Sequence, residues 1–327
     1  MKTLRDVGER EIIRKMFNLI SKNPRAPIQL GDDLAAIELE KGKLACLKCD
    51  MLVRGTDMPP GMTLYQAGRK AVVSVVSDFA SKGVKPVAIL SSLGMPKDFN
   101  EKEVEELVRG LDAGAREYGA YIIGGDMNEA CDLIIDCIGF GLGNRDSYIS
   151  RTGAKHGDLV AVTGSFGDTA AGLKMINNGY SILSAVERRF KKAIYMPNAR
   201  LVEGLALAKT KALSSSIDSS DGLALSLYDL SGQSKVGFKI ENVPVSKDVE
   251  KFANGNNLDP VSMALYGGEE YELVFTFKSS EEKKIRKALK GDPIIIGEVI
   301  TQRKVVLETK RGLVKILPKG WDHFLNK

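Results

Sequence analysis

Residues 101–126 read EKEVEELVRGLDAGAREYGAYIIGGD and combine three kinds of element. Apolar residues of the first part recur on one helical face, which predicts an amphipathic helix over residues 101–118: Val104, Leu107, Val108, Leu111 and Ala115. The apolar residues 121–123 then predict a strand, and Gly-Gly-Asp follows it directly. A carboxylate placed where a buried strand ends is held rigidly and stays at the surface, so Asp126 is a candidate functional group.

The patterns on either side of this stretch mix adjacent strands with separate helices. Strands are predicted over 35–39, 44–48, 133–140 and 159–163, and helices over 9–21, 65–82, 199–210, 221–231 and 280–289. Because strand and helix do not alternate regularly, the sequence predicts an α+β fold. The polar, Gly-rich residues 144–157 mark a boundary between two domains, residues 1–149 and residues 150–327.

Acidic groups recur along the chain in short segments, several of which follow apolar runs. The segments are Gly31-Asp32-Asp33, Asp50, Ser77-Asp78, Gly124-Gly125-Asp126, Asp218-Ser219-Ser220-Asp221 and Gly267-Gly268-Glu269-Glu270. Each one alone is typical of a turn, but together they favour carboxylates that fold into one site. Because clustered carboxylates repel one another unless cations neutralise them, the pattern predicts a magnesium site for phosphate chemistry. Two or more ions would be shared among Asp33, Asp50, Asp78, Asp126 and Asp218.

Composition excludes several classes of function. A net charge of +5 from 47 basic and 42 acidic residues gives no field that would recruit nucleic acid. No apolar run approaches the roughly 20 residues of a membrane span, and residues 1–6 lack the apolar core of a signal peptide, so we expect a cytoplasmic protein. Four cysteines fit a reducing compartment. Cys46 and Cys49 lie three apart in a strand pattern and point to opposite faces, which argues against zinc.

The remaining motifs favour phosphoryl transfer, in which the protein supplies positioning and charge but no nucleophile. The chain has only two histidines, His156 and His323, and no Gly-x-x-x-x-Gly-Lys-Ser/Thr loop. The strand-to-helix junction at 164–172 offers free amides to an anion, or is an ordinary helix entry. Arg151 is either a phosphate ligand or a surface residue. Trp321, the only tryptophan, packs on the core or stacks on a substrate ring.

One ordered set of segments spans residues 30–324. It consists of Gly31-Asp32-Asp33, Ser77-Asp78, Ile123-Gly124-Gly125-Asp126, Arg151-Thr152-Gly153-Ala154-Lys155, Val162-Thr163-Gly164 with Gly167-Asp168-Thr169-Ala170-Ala171-Gly172-Leu173, Ile217-Asp218-Ser219-Ser220-Asp221-Gly222-Leu223, Gly267-Gly268-Glu269-Glu270-Tyr271-Glu272-Leu273 and the tail 320–324. This set resembles the thiamine-monophosphate kinases, members of the ATP-binding superfamily that includes aminoimidazole ribonucleotide synthetase. The tail and the Gly-Gly-Glu segment point to the thiamine branch.

The resemblance implies transfer of the ATP γ-phosphoryl group onto the phosphate of thiamine monophosphate, with Mg²⁺ as cofactor and a K⁺ requirement left open. On matched positions it implies that metal is held by Asp33, Cys49, Asp50, Asp78, Asp126, Asp218 and Asp221, of which Asp126 and Asp218 are catalytic. It implies ATP contacts from Tyr118, Gly125, Asp126, Arg151 and Ser220. It implies substrate contacts from Asp57, Glu269 and Trp321, where an acid and a ring face suit a cationic thiazolium.

The implied fold has two α+β domains. Residues 1–149 would bind ATP and Mg²⁺ and pair with their copy in a homodimer, so that the two sheets close together and no edge stays exposed. Residues 150–327 would complete the nucleotide and substrate site.

The chain departs from the family pattern at three places. Lys48 stands where a small hydroxyl residue often helps to bind metal, and Cys49 stands where many members have Thr. A basic residue at 48 would replace one cation or weaken its site. Asp57 stands where the bacterial pattern has a substrate-contacting His, and Glu270 replaces the usual Asp.

Two other functions stay open on the sequence. An aminoimidazole-ribonucleotide-synthetase-like ligase would use the same ATP site on another acceptor, and residues 56–61, TDMPPG, resemble that branch. A non-catalytic relative would bind ATP without consuming it. The selenophosphate-synthase branch is disfavoured because no catalytic Cys precedes Gly31.

Overall fold

The computed structural model describes residues 2–21, 23–28, 30–180, 182 and 184–325. Within these ranges the chain forms two mixed sheets with helices packed between and around them, which confirms the α+β prediction. None of the helices in the described ranges combines the length and apolar character needed to cross a membrane.

The first sheet lies in the N-terminal half of the chain. Its strands are β1 (Ala35–Glu38), β2 (Lys43–Val53), β3 (Lys85–Met95), β4 (Tyr121–Glu129) and β5 (Ile134–Asn144), in the order β1-β2-β5-β3-β4. The helices of this half are α1 (Leu4–Val7), α2 (Glu9–Phe17), α3 (Arg54–Asp57), α4 (Leu64–Lys82) and α5 (Glu101–Glu117). Helix α4 packs against β2, β3 and β5, while the opposite face of the sheet exposes Leu47, Met51, Leu90 and Leu142. Strand β4 is an edge strand that pairs only with β3 among the described strands.

The second sheet contains the strands after residue 150. They are β6 (Asp158–Val162), β7 (Leu213–Asp218), β8 (Gly237–Ile240), β9 (Leu273–Lys278), β10 (Ile294–Ile300), β11 (Val305–Thr309) and β12 (Gly312–Lys315), in the order β12-β11-β8-β10-β6-β9-β7. The helices are α6 (Asp168–Asn178), α7 (Ser184–Tyr195), α8 (Leu201–Thr210), α9 (Leu223–Ser234), α10 (Lys247–Gly255), α11 (Pro260–Tyr266) and α12 (Glu282–Leu289).

Helix α4 joins the two halves. It begins at a capping box formed by Thr63 and Gln66 and ends at Gly83, which has the left-handed conformation. Almost all of its residues from Ala67 onwards are buried, because it contacts the first sheet on one side and α8, β7 and β9 on the other. Polar side chains of α4 therefore meet partners that lie more than a hundred residues away in sequence.

The predicted helices over 65–82 and 101–118 are confirmed as α4 and α5. The strand predicted over 121–123 is wrong at its end, since β4 continues to Glu129 and contains Gly124, Gly125 and Asp126. A Cβ atom at Gly125 would lie 1.9 Å from the carbonyl oxygen of Ser91, so this glycine permits close approach of two strands. The helix predicted over 9–21 ends at Phe17.

Gly204 provides a test of the packing between the halves. A Cβ atom there would lie 2.0 Å from the carbonyl oxygen of Ala80 on α4. We expect Gly204→Ala to lower the free energy of unfolding by about 1–3 kcal/mol in urea denaturation, because backbone cannot move aside as a flexible side chain does. Gly232→Ala in α9 is the matched control, since nothing lies within 4 Å of its added methyl group. We expect a gain of about 0.5–1 kcal/mol for the control, and equal losses in both variants would contradict the packing argument.

Candidate active site

A cavity of about 530 Å³ lies between the two halves of the chain. Its walls come from α2, β2, α4 and several loops of the second half. Most of the residues predicted from sequence line it: Asp50, Asp57, Asp78, Arg151, Asp218, Ser220, Asp221, Glu269 and Trp321.

Three carboxylates converge at the cavity, and two of them, Asp78 and Asp218, form part of its wall. Asp33 precedes β1, Asp78 lies on α4 and Asp218 ends β7, and each offers an oxygen within 4.8 Å of the others. All three residues are buried. Hydroxyl groups of α4 fix two of them, since Ser77 donates to Asp218 Oδ2 at 2.7 Å and Ser81 donates to Asp33 Oδ2 at 2.6 Å.

Fixed cations of the protein partly neutralise this cluster. The Nζ atom of Lys82, a fully buried side chain, lies 2.8 Å from Asp33 and 3.0 Å from Asp32, and donates to the carbonyl oxygen of Ser216 at 2.6 Å. Arg151 donates from Nε to Asp33 Oδ1 at 2.5 Å. On the opposite side, Lys48 Nζ lies 3.0 Å from Asp78 Oδ2.

The acids of the cluster differ in their proton affinity. Burial raises the pKa of Asp218 to about 6, and the charge of Asp33 adds to the effect. Burial also raises the pKa of Asp78 well above its ordinary value, reinforced by repulsion from Asp218 and Asp33 against the attraction of Lys48. Burial alone would raise the pKa of Asp33, but Arg151 and Lys82 outweigh it and hold that pKa below the ordinary value. Lys48 therefore compensates the negative charge of Asp78 and Asp218 only in part.

The other end of the cavity is organised around Lys70 of α4. Its Nζ atom lies 2.5 Å from Glu269 and donates to the carbonyl oxygen of Asp57 at 2.9 Å. Glu269 and Tyr271 have positive φ angles of 63° and 52°, which L residues adopt at a cost when the surrounding structure holds them. Trp321 donates its backbone amide to the carbonyl oxygen of Asp221 at 3.0 Å, so the C-terminal tail reaches the cavity.

Helix α2 covers part of the cavity with Arg10, Ile13, Arg14 and Phe17. Arg10 donates to Asp229 at 2.5 Å and to Asp221 at 3.0 Å. The apolar pattern of residues 9–21 predicts this helix but indicates no role at the site. A surface arginine on an amphipathic helix carries no signal that its partner lies some two hundred residues away.

Besides Asp33, which is buried and does not line the cavity, four predicted site residues lie outside it within one chain: Cys49, Tyr118, Gly125 and Asp126. Cys49 is exposed, and burial alternates along β2, so it points away from the face that carries Lys48 and Asp50. Asp126 is exposed on the edge strand β4, in register with Ser92 of β3.

Tyr118, which also lies outside the cavity, packs at the junction of the two halves. Its hydroxyl oxygen accepts a hydrogen bond from the backbone amide of Ala199 at 2.9 Å.

The strand-to-helix junction at 164–172 is already occupied by the chain itself. The backbone amides of Gly167 and Thr169 donate to Glu270 Oε1 at 2.7 and 3.1 Å. Burial raises the pKa of Glu270 to about 8. The junction is thus a helix entry closed by a partly buried carboxyl group.

Sequence reasoning missed Lys70 and Lys82, the two buried lysines of α4. A signal for them exists, because polar residues at 70, 74, 77, 78, 81 and 82 interrupt an otherwise apolar helix at helical spacing. A helix that is buried on all sides uses such a stripe to reach partners across an interface.

Sequence comparisons identify known proteins that are similar to this chain. Residues 31–143 match the family described as AIR synthase related protein, N-terminal domain. The chain is 36% identical over 297 residues to the thiamine-monophosphate kinase of Nitrosopumilus maritimus, covering 90% of this chain and 93% of that protein. It is 35% identical to the thiamine-monophosphate kinase of Pyrococcus horikoshii, covering 96% of each chain.

Two solved structures are similar to this chain in fold. A structure of AaThiL complexed with AMPPCP and TMP is similar with a TM-score of 0.87 and 27% identity, covering 99% of each chain. The thiamine monophosphate kinase of Aquifex aeolicus is similar with a TM-score of 0.79 and 26% identity, covering 94% of this chain and 98% of that one.

Asp218 provides a pH-dependent test of the cluster. A carboxyl group whose pKa folding raises from 3.8 to about 6 costs stability above pH 6, and the cost disappears as the pH falls towards 3.8. In EDTA at about pH 7.5, we expect Asp218→Asn to raise the free energy of unfolding by on the order of 3 kcal/mol, with the gain shrinking towards zero near pH 4. Urea denaturation of both proteins between about pH 4 and 7.5 measures this difference in the free energy of unfolding. Asp146→Asn, at an exposed carboxylate, is the control; a flat difference for Asp218→Asn would contradict the assigned pKa.

Proposed function

We infer that this chain, which belongs to the thiamine-monophosphate kinase family, transfers the γ-phosphoryl group of ATP to thiamine monophosphate, giving thiamine diphosphate and ADP. The observation that carries this conclusion is the convergence of Asp33, Asp78 and Asp218 beside a cavity whose other end presents Glu269 and Trp321. Because the reaction consumes ATP, we propose a cytoplasmic location.

We propose that magnesium binds at the carboxylate cluster. The donor set fits Mg²⁺, since hard carboxylate oxygens converge and the raised pKa values of Asp78 and Asp218 signal a deficit of positive charge. Asp33, Asp50, Asp78, Asp218 and Asp221 of one chain would hold the ions. Bound Mg²⁺ would neutralise the phosphate oxygens during transfer.

We assign the two ends of the cavity to the two substrates. Arg151 and Ser220 would contact ATP beside the cluster, and Arg151 is already oriented by its ion pair with Asp33. Glu269 and Trp321 would hold the cationic thiazolium by charge and by ring contact. Asp57 lines the same region and would contact substrate there, while its Oδ2 atom accepts a hydrogen bond from the backbone amide of Val53 at 2.8 Å.

We propose that the site is completed by a second copy of the chain. Residues 1–149 would form the ATP-binding and pairing domain and residues 150–327 the domain that completes the site, a division supported by the two separate sheets. The uncovered face and edge of the first sheet, with Leu47, Met51, Leu90 and Leu142 exposed, offer an apolar surface to a partner. Cys49, Gly125 and Asp126 lie on this sheet and would reach the partner's cavity.

The reaction is tested by its product. With ATP, Mg²⁺ and thiamine monophosphate, we expect thiamine diphosphate and ADP in equal amounts by chromatography, and loss of both in EDTA. A ligase of the aminoimidazole ribonucleotide synthetase type would leave thiamine monophosphate unchanged, and a non-catalytic relative would leave ATP unchanged as well. Running the assay in potassium and in sodium salts decides whether K⁺ takes part.

Mixed dimers test whether Asp126 acts in the partner's site. Asp126→Asn and Asp218→Asn should each be inactive alone, because each removes one carboxylate from every site. Co-expressed in equal amounts, they should recover about one quarter of wild-type activity, since half of the dimers are mixed and each mixed dimer holds one intact site. Mixed dimers purified through two different affinity tags should show about one half of wild-type activity, because one of their two sites is intact. No recovery in verified mixed dimers would show that Asp126 does not act across the interface.

A further inference from the structure

We propose that Lys48 is a resident cation that takes the place of one divalent ion at Asp78, so that each site binds one metal ion fewer than it would without the lysine. The inference rests on the proposed function, because it concerns the metal content of the same site.

The strand geometry directs Lys48 into the cluster. In β2, Leu44, Cys46 and Leu52 are buried on the side of α4, and Lys48 follows the same alternation. The Lys48 side chain is 26% exposed, and its Nζ atom lies 3.0 Å from Asp78 Oδ2, whose side chain is 6% exposed. The negative charges of Asp50 and Asp33 also attract this ammonium group.

The lysine and a metal ion compete for the same oxygen. Magnesium binds carboxylate oxygens at about 2.0–2.1 Å. An ion on Asp78 Oδ2 would therefore lie within about 5 Å of the ammonium nitrogen that already contacts this atom. Charges of +1 and +2 at that distance repel strongly in a buried site. Lys48 thus excludes an ion from the oxygen that it holds.

The other fixed cations do not substitute for Lys48. Lys82 and Arg151 both contact Asp33, on the far side of the cluster. Among the described residues, Lys48 is the side chain that forms an ion pair with Asp78. Removing its charge would leave a buried carboxylate without an ion pair, which is a favourable position for an additional cation.

The experiment counts bound ions. Mn²⁺ binding is measured by equilibrium dialysis and by electron paramagnetic resonance, with and without the ATP analogue AMPPCP. The proteins are the wild type, Lys48→Ser, and Lys48→Met, which keeps most of the packing of the lysine stem. Lys43→Ser is the matched control, since Lys43 lies on the same strand and is exposed outside the cavity. We expect both Lys48 variants to bind one more Mn²⁺ ion per protomer than the wild type and the control.

Thermal unfolding separates this role from a merely structural one. In EDTA both Lys48 variants should melt below the wild type, because Asp78 loses its partner, and Mn²⁺ should restore their melting temperature more than it raises that of the wild type. An equal or smaller ion count in both Lys48 variants would overturn the proposal. If the wild type fails to bind AMPPCP, the proposed function fails, while the ion count without nucleotide still decides the role of Lys48.

Discussion

The structure depends on charge balance around one buried helix. Helix α4 is packed between two sheets and yet carries Lys70, Asp78 and Lys82 in its interior face. Buried charges are tolerated only when partners offset the loss of hydration. Each of these groups has a partner on another element, so the contacts that stabilise the junction of the two halves also hold the site in place.

The same balance divides the cluster into two functional parts. Asp33, held ionised by Lys82 and Arg151, acts as a fixed anchor. Asp78 and Asp218 have raised pKa values and so favour any added positive charge, whether a proton or a metal ion. A site of this kind is rigid before its ligands arrive, which lowers the cost of ordering at the moment of binding.

The sequence predicted the helices with strong periodicity and most of the residues that line the cavity, because acids at strand and loop ends leave a local pattern. It did not predict β7, whose Ser-Ser-Ser-Ile-Asp sequence has no alternation of apolar and polar residues. It placed Gly124, Gly125 and Asp126 after a strand, although they lie inside β4, because glycine marks a turn and a close strand contact alike. The role of Lys82 depends on contacts across 134 residues, which no local pattern encodes.

The long reach of these contacts has a consequence for synthesis on the ribosome. When α4 first emerges, Ser216, Asp218 and Glu269 have yet to be translated, so its buried polar groups lack part of their partners and its side towards α8, β7 and β9 is uncovered. This side of α4 therefore stays without its packing partners until most of the chain has followed. This interval is one in which chaperone binding protects a chain from misassembly.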